Sequence, residues 1–249
     1  MGAGHLNRGV AVALAGCLAA APCAAMSWDD FVASFGPRAA PADVVEYLKA
    51  NPMAQAAPRP RFAEIHTETV DGVVAQTYRM TGSEGGFSRL EGVREERSQG
   101  TARSGPQTLS MTAALGGLVL VALDNKTTGA FVKLRRIEIE GKLFPPAEGG
   151  QGTIRFERVQ LAEGIVVEEF TDCALAWIGP LEDNPRLTLR CTGSNKQSRR
   201  DSDGTVDSES SPVGYTSTWV FRRDVGWIFD QRTKVLDFKP LEKPAGKPD

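Results

Sequence analysis

The chain has 249 residues, of which 41% are hydrophobic and 24% are charged, as in an ordinary globular protein. Its 29 Lys and Arg residues and 31 Asp and Glu residues give a formal net charge of −2, with no basic block. This balance excludes an electrostatic case for binding nucleic acid or an anionic membrane surface.

The first 25 residues have the pattern of a secretory signal peptide. A polar start with one fixed positive charge, Arg8, precedes an apolar stretch at 9–21, and Pro22 and small residues follow. The apolar stretch is shorter than the roughly 20 residues that span a membrane. We therefore expect removal of residues 1–25, a periplasmic or secreted protein, and no transmembrane segment in the mature chain.

A competing interpretation is a lipid anchor on Cys17. Residues 14–17 (LAGC) resemble the lipobox of bacterial lipoproteins, in which the cysteine is lipidated and becomes the first residue. Lipidation of Cys17 would leave Cys23 as an odd thiol, whereas loss of the whole signal segment leaves the even pair Cys173 and Cys191. The cysteine count favours signal-peptide removal, and attachment to the cell envelope through Cys17 stays open as the alternative.

Residues 26–60 are predicted to form a short helical segment and a linker. The first helix places its apolar residues at helical spacing, on Trp28, Phe31, Val32 and Phe35. Gly36 and Pro37 end that helix, and Pro41 begins a second one. The second helix carries Val44, Val45 and Leu48. The Pro-rich stretch at 52–60 is the expected linker.

Residues 61–238 are predicted to form an antiparallel β domain. Turn sequences separate strand-like runs at 70–73 (VDGV), 124–129 (DNKTTG), 162–164 (AEG) and 224–226 (DVG). Alternation of polar and apolar residues gives each strand one face toward solvent and one face toward the core. We expect a mainly β fold of about ten strands, in a sandwich or a partly closed barrel, and a disordered tail at 239–249.

The most hydrophobic stretch after the signal segment is 111–123 (MTAALGGLVLVAL). Its 13 residues are too few to span a bilayer and favour one strand that is buried on both faces. The alternative is a lipid-contacting hairpin, although the repeated pattern of a membrane barrel is not present. We therefore expect this stretch to form part of the core.

Cys173 and Cys191 are predicted to form a structural disulfide. Cys191 shares its strand face with Leu189, while Cys173 shares one with Leu175 and Trp177, so both thiols point into an apolar layer. Closing a loop of this size stabilises a fold by about 3 kcal/mol. A redox-active pair is usually closer in sequence, and a zinc site needs more ligands than this pair supplies.

The scarcity of histidine limits catalysis. Only His66 follows the signal segment, in a strand-like run with Glu64 and Glu68 on the same side. The sequence contains no nucleophile elbow, HExxH or phosphate-binding motif, and we predict no catalytic residue and no cofactor. A hydrolase that uses converging carboxylates, such as Glu64 or Glu68, remains the alternative from the enzyme class.

The acidic stretch 201–209 (DSDGTVDSE) partly resembles an EF-hand calcium loop. Its register fails at both ends, because Arg199 and Ser210 occupy positions that need acidic ligands, and no helix flanks it. We therefore predict no metal site, and a solvated, mobile connection from Gly193 to Gly214.

Aromatic residues cluster toward the C-terminus. Tyr215, Trp219 and Phe221 lie on one side of a strand, and Trp227 follows on the next strand. This cluster is a candidate ligand face, since aromatic rings can stack on a sugar or another flat ligand. The competing interpretation is the hydrophobic layer of a terminal hairpin.

One motif set carries a resemblance to known proteins. The sequence LFPP at 143–146 with Gly149 and Gly150, a cysteine-bearing strand and the late turn DVGW at 224–227 resemble uncharacterised β-rich bacterial envelope or periplasmic proteins with an F-P-L-x-x-G turn. The resemblance covers the C-terminal half, and Pro146 departs from the apolar residue usual there. It implies a β fold and an envelope location, and it implies no catalytic residue.

The sequence thus predicts an exported, non-catalytic envelope protein. Its partner would be an envelope lipid, glycan or protein bound by the β domain. Two alternatives stay open: the periplasmic carboxylate hydrolase, and an inhibitor or immunity protein against a secreted toxin.

Overall fold

The structure is a computed structural model that describes residues 40–51, 62–70, 74–84, 86–98, 101–102, 105–162, 165–179, 187–200 and 206–241. The described chain is mainly β, with one sheet nearly closed into a barrel, and this confirms the predicted fold class. The described strands number 14 instead of the expected ten or so. The predicted signal peptide, Cys17, the first predicted helix and the linker at 52–60 lie outside the described residues.

The first seven strands are β1 (Phe62–Thr69), β2 (Val74–Glu84), β3 (Phe87–Ser98), β4 (Thr101–Ala102), β5 (Gln107–Ala114), β6 (Val119–Asn125) and β7 (Phe131–Gly141). The other seven are β8 (Gln151–Ala162), β9 (Ile165–Ile178), β10 (Leu187–Arg200), β11 (Val206–Glu209), β12 (Val213–Arg222), β13 (Trp227–Asp230) and β14 (Thr233–Pro240). The described helix is α1 (Ala42–Ala50), and a 3₁₀ turn (Leu115–Gly117) links β5 to β6.

The sheet is an antiparallel meander whose two ends approach each other. Its order is β13-β12-β10-β9-β8-β7-β6-β5-β3-β2-β1-β14, while β11 pairs with β10 and β4 with β3. The terminal strands β13 and β14 are consecutive in the chain and separated only by residues 231–232. The sheet therefore curls around until the chain itself links its two ends.

Helix α1 packs where the pairing between strands β6 and β7 of the sheet is incomplete. Strands β6 and β7 pair over three residues only, so most of β7 has no hydrogen-bonded neighbour on that side. The hydroxyl of Tyr47 accepts a 2.8 Å hydrogen bond from the Ile139 N–H in β7. The apolar face predicted for this helix is confirmed, since Val44, Val45 and Leu48 are all buried. Within the described ranges no helix has the length and apolar character needed to cross a membrane.

The sheet buries apolar side chains on both faces near its β1 to β5 end. Phe87 of β3 belongs to the larger core cluster, which also includes the buried face of α1. Leu90, an odd number of positions along the same strand, belongs to a second cluster with Phe62 and Ile65 of β1. Because alternate strand residues point to opposite faces, these strands separate two apolar layers.

The expectation of a single strand over residues 111–123 was wrong. The stretch is buried or half-buried, but it forms the end of β5, the 3₁₀ turn and the start of β6. Leu115, Gly116 and Gly117 all have positive φ, at 55°, 64° and 92°, and this backbone reverses the chain. Glycine takes such angles without the steric cost that a Cβ imposes, so the two glycines permit the reversal.

The connection from Gly193 to Gly214 is also more ordered than expected. Strand β10 continues to Arg200, and its residues 194–200 pair with residues 166–172 of β9. Val206–Glu209 then forms β11 against the other edge of β10. Long-range pairing with β9 thus overrides the turn-like composition of this stretch. Residues 201–205 lie outside the described chain.

Gly117→Ala tests the packing of the β5–β6 turn. A Cβ at Gly117 would lie 2.2 Å from Cε2 of Trp227, and φ there is +92°. Gly129 also has a positive φ, +73°, but a Cβ there would meet nothing within 4 Å. We expect Gly129→Ala to lower the free energy of unfolding by about 1–2 kcal/mol through backbone strain alone.

Gly117→Ala adds overpacking and should cost about 1–3 kcal/mol more than the Gly129 control. Urea unfolding of both variants measures the difference. Equal losses in the two variants would show that Trp227 does not pack against this turn.

Candidate functional site

A cavity of about 620 Å³ lies on the concave face formed by β8, β9, β10 and β12. Its volume is within the range of pockets that hold small molecules. The tip of the β5–β6 hairpin contributes Leu118 and Val119 to the wall. The cavity therefore combines one continuous sheet face with a turn from a distant part of the chain.

The cross-strand register places the cavity residues in rows. Arg158 of β8 lies opposite Glu169 of β9, which lies opposite Gln197 of β10. Two residues farther from this row along β8 and β9, Phe156 lies opposite Thr171. Because side chains alternate between faces, every second residue of these strands points into the same concave space.

Farther along the strands the rows become apolar. Ile154 lies opposite Cys173, and Leu175 opposite Cys191. All four side chains are buried, at 3%, 2%, 3% and 0% exposure. Beyond them the fully buried Leu189 completes the core side of this face. One end of the cavity is thus a dry, apolar floor.

The opposite end carries the charged side chains. Arg158 and Glu169 form an ion pair whose side chains are 33% and 16% exposed. The Arg158 guanidinium carbon also lies 5.5 Å from the centroid of the Phe156 ring, at cation–π distance. Gln197 and Ser210 line the cavity at this end too. The cavity is therefore amphipathic along the strand direction.

Tyr215 lies on the wall between the two ends. Burial raises the pKa of its phenol, and a hydrogen bond with Thr171 acts in the opposite direction. Its Oη lies 3.4 Å from Sγ of Cys191. A phenol held neutral in this position can donate or accept a hydrogen bond without adding charge to the cavity.

Cys173 and Cys191 lie at the distance of a disulfide, with their Cα atoms 5.6 Å apart. They are diagonal neighbours on the paired strands β9 and β10, and both side chains are buried. The structure thus brings together the two residues predicted to pair and places them in the cavity floor.

The four predicted ligand-face aromatics separate into two groups. Tyr215 and Trp219 line the cavity. Phe221 is 5% exposed and packs edge-on against Trp177, with ring centroids 6.1 Å apart. Trp227 packs instead on Phe62 in the second apolar cluster, at 5.7 Å. Two of the four residues therefore face the cavity, and two pack within the apolar interior.

The residues of the alternative hydrolase lie elsewhere. His66 Nε2 is 3.3 Å from Glu64 Oε1, and His66 Nδ1 is 3.1 Å from the Thr77 hydroxyl. Lys239 Nζ lies 2.6 Å from Glu64 Oε2, and this hydrogen-bonded ammonium lowers the pKa of the Glu64 carboxyl. Neither these residues nor Glu68 line the cavity.

Metal ligands do not converge in the part of the chain that the structure describes. No group of three or more His, Cys, Asp or Glu residues there could hold a metal ion. Asp201 and Asp203 of the acidic stretch lie outside the described ranges, so the prediction for that stretch stays a prediction.

Sequence reasoning missed the polar end of the cavity. Arg158 and Gln197 carry no sequence signal, and Glu169 stands out only as half of the adjacent pair Glu168–Glu169, whose carboxylates point to opposite strand faces. Counting back by twos from Cys173 reaches Thr171 and then Glu169, and this extension of the same alternation could have found the inward carboxylate.

Comparisons with models of protein families, with curated proteins and with solved structures find no match to this chain. The geometry of the cavity and the sequence pattern are therefore the basis for the function proposed below.

Peptide mapping tests the cysteine pair. Digestion without reduction should yield one peptide that joins Cys173 to Cys191, and reduction should split it with the gain of two protons. Reduction should also lower the free energy of unfolding by about 3 kcal/mol, because the sequence separation is 18 residues. A Cys173→Ala/Cys191→Ala variant is the control, and reduction should leave its stability unchanged. Two separate free-thiol peptides in the oxidised protein would contradict the pairing.

Proposed function

We propose that the protein is an exported, non-catalytic binding module of the cell envelope, and that its cavity holds one small amphipathic molecule. The observation that carries this proposal is the gradient of polarity along the concave face. Ile154 and Leu175 lie at the apolar end, and Arg158 and Glu169 lie at the charged end.

The apolar floor supplies affinity, and the charged end supplies orientation. Each methylene group that a ligand buries contributes about 0.8 kcal/mol. A polar head of the same ligand would lose its hydrogen bonds if it entered the dry end first. A bound amphiphile is therefore expected to place its tail near the cysteine pair and its head near Arg158.

Export has independent support from the sequence. The signal-like segment, the even cysteine pair and the resemblance to β-rich envelope proteins all favour an oxidising compartment. The proposed location is the periplasm or the exterior, with a lipid anchor at Cys17 as the alternative.

A binding role has more support than a paired-carboxylate hydrolase. Among the described residues that line the cavity, Glu169 is the sole carboxylate, whereas glycoside hydrolysis by this route needs two. The concave shape also favours a small molecule over a protein partner, which would need a larger and flatter surface.

Ser217→Trp tests whether the cavity binds apolar molecules. Ser217 lines the cavity, and an indole there would fill part of it. The neighbouring Thr216 is exposed and points away, so Thr216→Trp is the matched control. The readout is the fluorescence of the neutral apolar probe N-phenyl-1-naphthylamine.

We expect the wild type and Thr216→Trp to bind one probe molecule with the same affinity. Ser217→Trp should bind it at least about ten-fold more weakly, which corresponds to 1.4 kcal/mol of lost contact. Urea unfolding confirms that both variants are folded. Equal affinities in the two tryptophan variants would refute binding in this cavity.

A further inference from the structure

The ion pair inside the cavity is unlike the other ion pairs of the same strands. Arg158 and Glu169 lie opposite each other on β8 and β9, and their side chains are 33% and 16% exposed. Arg155 and Asp172 are likewise opposite on these strands, but both are 44% exposed, with 3.4 Å between Arg155 Nε and Asp172 Oδ1. The ion pair in the cavity is therefore less exposed to solvent than the pair on the opposite face of the same two strands.

The Arg158–Glu169 pair is partly exposed, with 33% of one side chain and 16% of the other accessible to solvent. An ion pair in contact with solvent contributes little to stability, because solvent screens the attraction and the partial loss of solvation offsets it. Arg158 and Glu169 are the two charged side chains among the described residues that line the cavity. Their placement at its polar end is accordingly better explained by a ligand than by stability.

The two charges also define what kind of ligand fits. Together they add no net charge, so they give no general attraction for an anion or a cation. An anionic head would pair with Arg158 but face the carboxylate of Glu169, and a cationic head would face the guanidinium. Like charges placed together at an interface are strongly unfavourable and exclude the wrong partner.

We propose that Arg158 and Glu169 form a head-group subsite for a monomeric zwitterionic amphiphile, and this inference rests on the proposed function. The Arg158 guanidinium receives the anionic group of the head, and the Glu169 carboxylate receives the cationic group. Binding thus replaces the ion pair between Arg158 and Glu169 by two ion pairs between these residues and the ligand.

The neighbouring side chains fit this exchange. The ring of Phe156 lies against the Arg158 guanidinium and can hold it in place when Glu169 turns to the ligand. Gln197 lies opposite Glu169 on β10 and lines the cavity, so its amide can hydrogen-bond to the rest of the head. The apolar floor accepts the alkyl chain.

The test uses four amphiphiles that share a dodecyl chain and differ in the head. They are dodecylphosphocholine, dodecyl sulfate, dodecyltrimethylammonium and dodecyl maltoside, each kept below its micelle concentration. The readout is displacement of N-phenyl-1-naphthylamine from the full protein. We expect the wild type to bind dodecylphosphocholine at least about ten-fold more tightly than either singly charged amphiphile, because each of these meets a like charge.

Charge variants sharpen the test. Glu169→Gln leaves Arg158 as the charge of the subsite, so preference should change to dodecyl sulfate. Arg158→Gln should change it to dodecyltrimethylammonium. The exchange variant Arg158→Glu/Glu169→Arg keeps both charges and should keep the preference for the zwitterion. Arg155→Gln and Asp172→Asn on the convex side are the controls and should leave the preference of the wild type unchanged.

The outcomes separate the two proposals. If all four amphiphiles displace the probe equally, and the charge variants leave that equality intact, the head-group subsite is refuted while the cavity proposal stands. If the probe itself binds equally to Ser217→Trp and Thr216→Trp, the cavity proposal is refuted. A wild type that prefers dodecyl sulfate would also overturn the zwitterion inference.

Discussion

The register of β8, β9, β10 and β12 is the constraint on which the candidate site depends. These strands pair antiparallel without interruption across the concave face, so residues of one phase form continuous rows. A slip of one residue would turn every inward side chain outward. Cys173 of β9 and Cys191 of β10 lie at disulfide distance in the middle of this face, and this pair fixes the position of the two strands relative to each other.

From that register follows a change of polarity along each strand. In β9 the inward residues run from Glu169 through Thr171 and Cys173 to Leu175 and Trp177, from a carboxylate to a dry core. The Trp177 indole donates a 2.7 Å hydrogen bond to the Leu143 carbonyl, so even the buried end leaves this donor satisfied. A ligand in the cavity would meet the same gradient on several strands at once, and this is why its orientation would be fixed.

The sequence predicts much of this face because local alternation is independent of the rest of the fold. The shared phase of Tyr215, Trp219 and Phe221 needs only period two, and the structure agrees with it. Which apolar cluster Trp227 joins depends on the register of the hairpin that β12 and β13 form. In that hairpin Trp227 pairs with the half-buried Arg222, whereas Phe221 pairs with Ile228. Leu118 reaches the cavity through a reversal at two glycines inside an apolar run, a contact set by distant packing. Local pattern cannot show such contacts.

Paramagnetic NMR with a zwitterionic amphiphile that carries a nitroxide at the end of its alkyl chain measures the proposed arrangement most directly. Tail-first binding predicts strong broadening of the Ile154 and Leu175 signals and weak broadening of the Glu169 amide, which lies six residues, about 20 Å, from Leu175 along β9. Equal broadening at Leu175 and Glu169, or strongest broadening at Glu169, would contradict a ligand seated with its tail in the floor of the cavity.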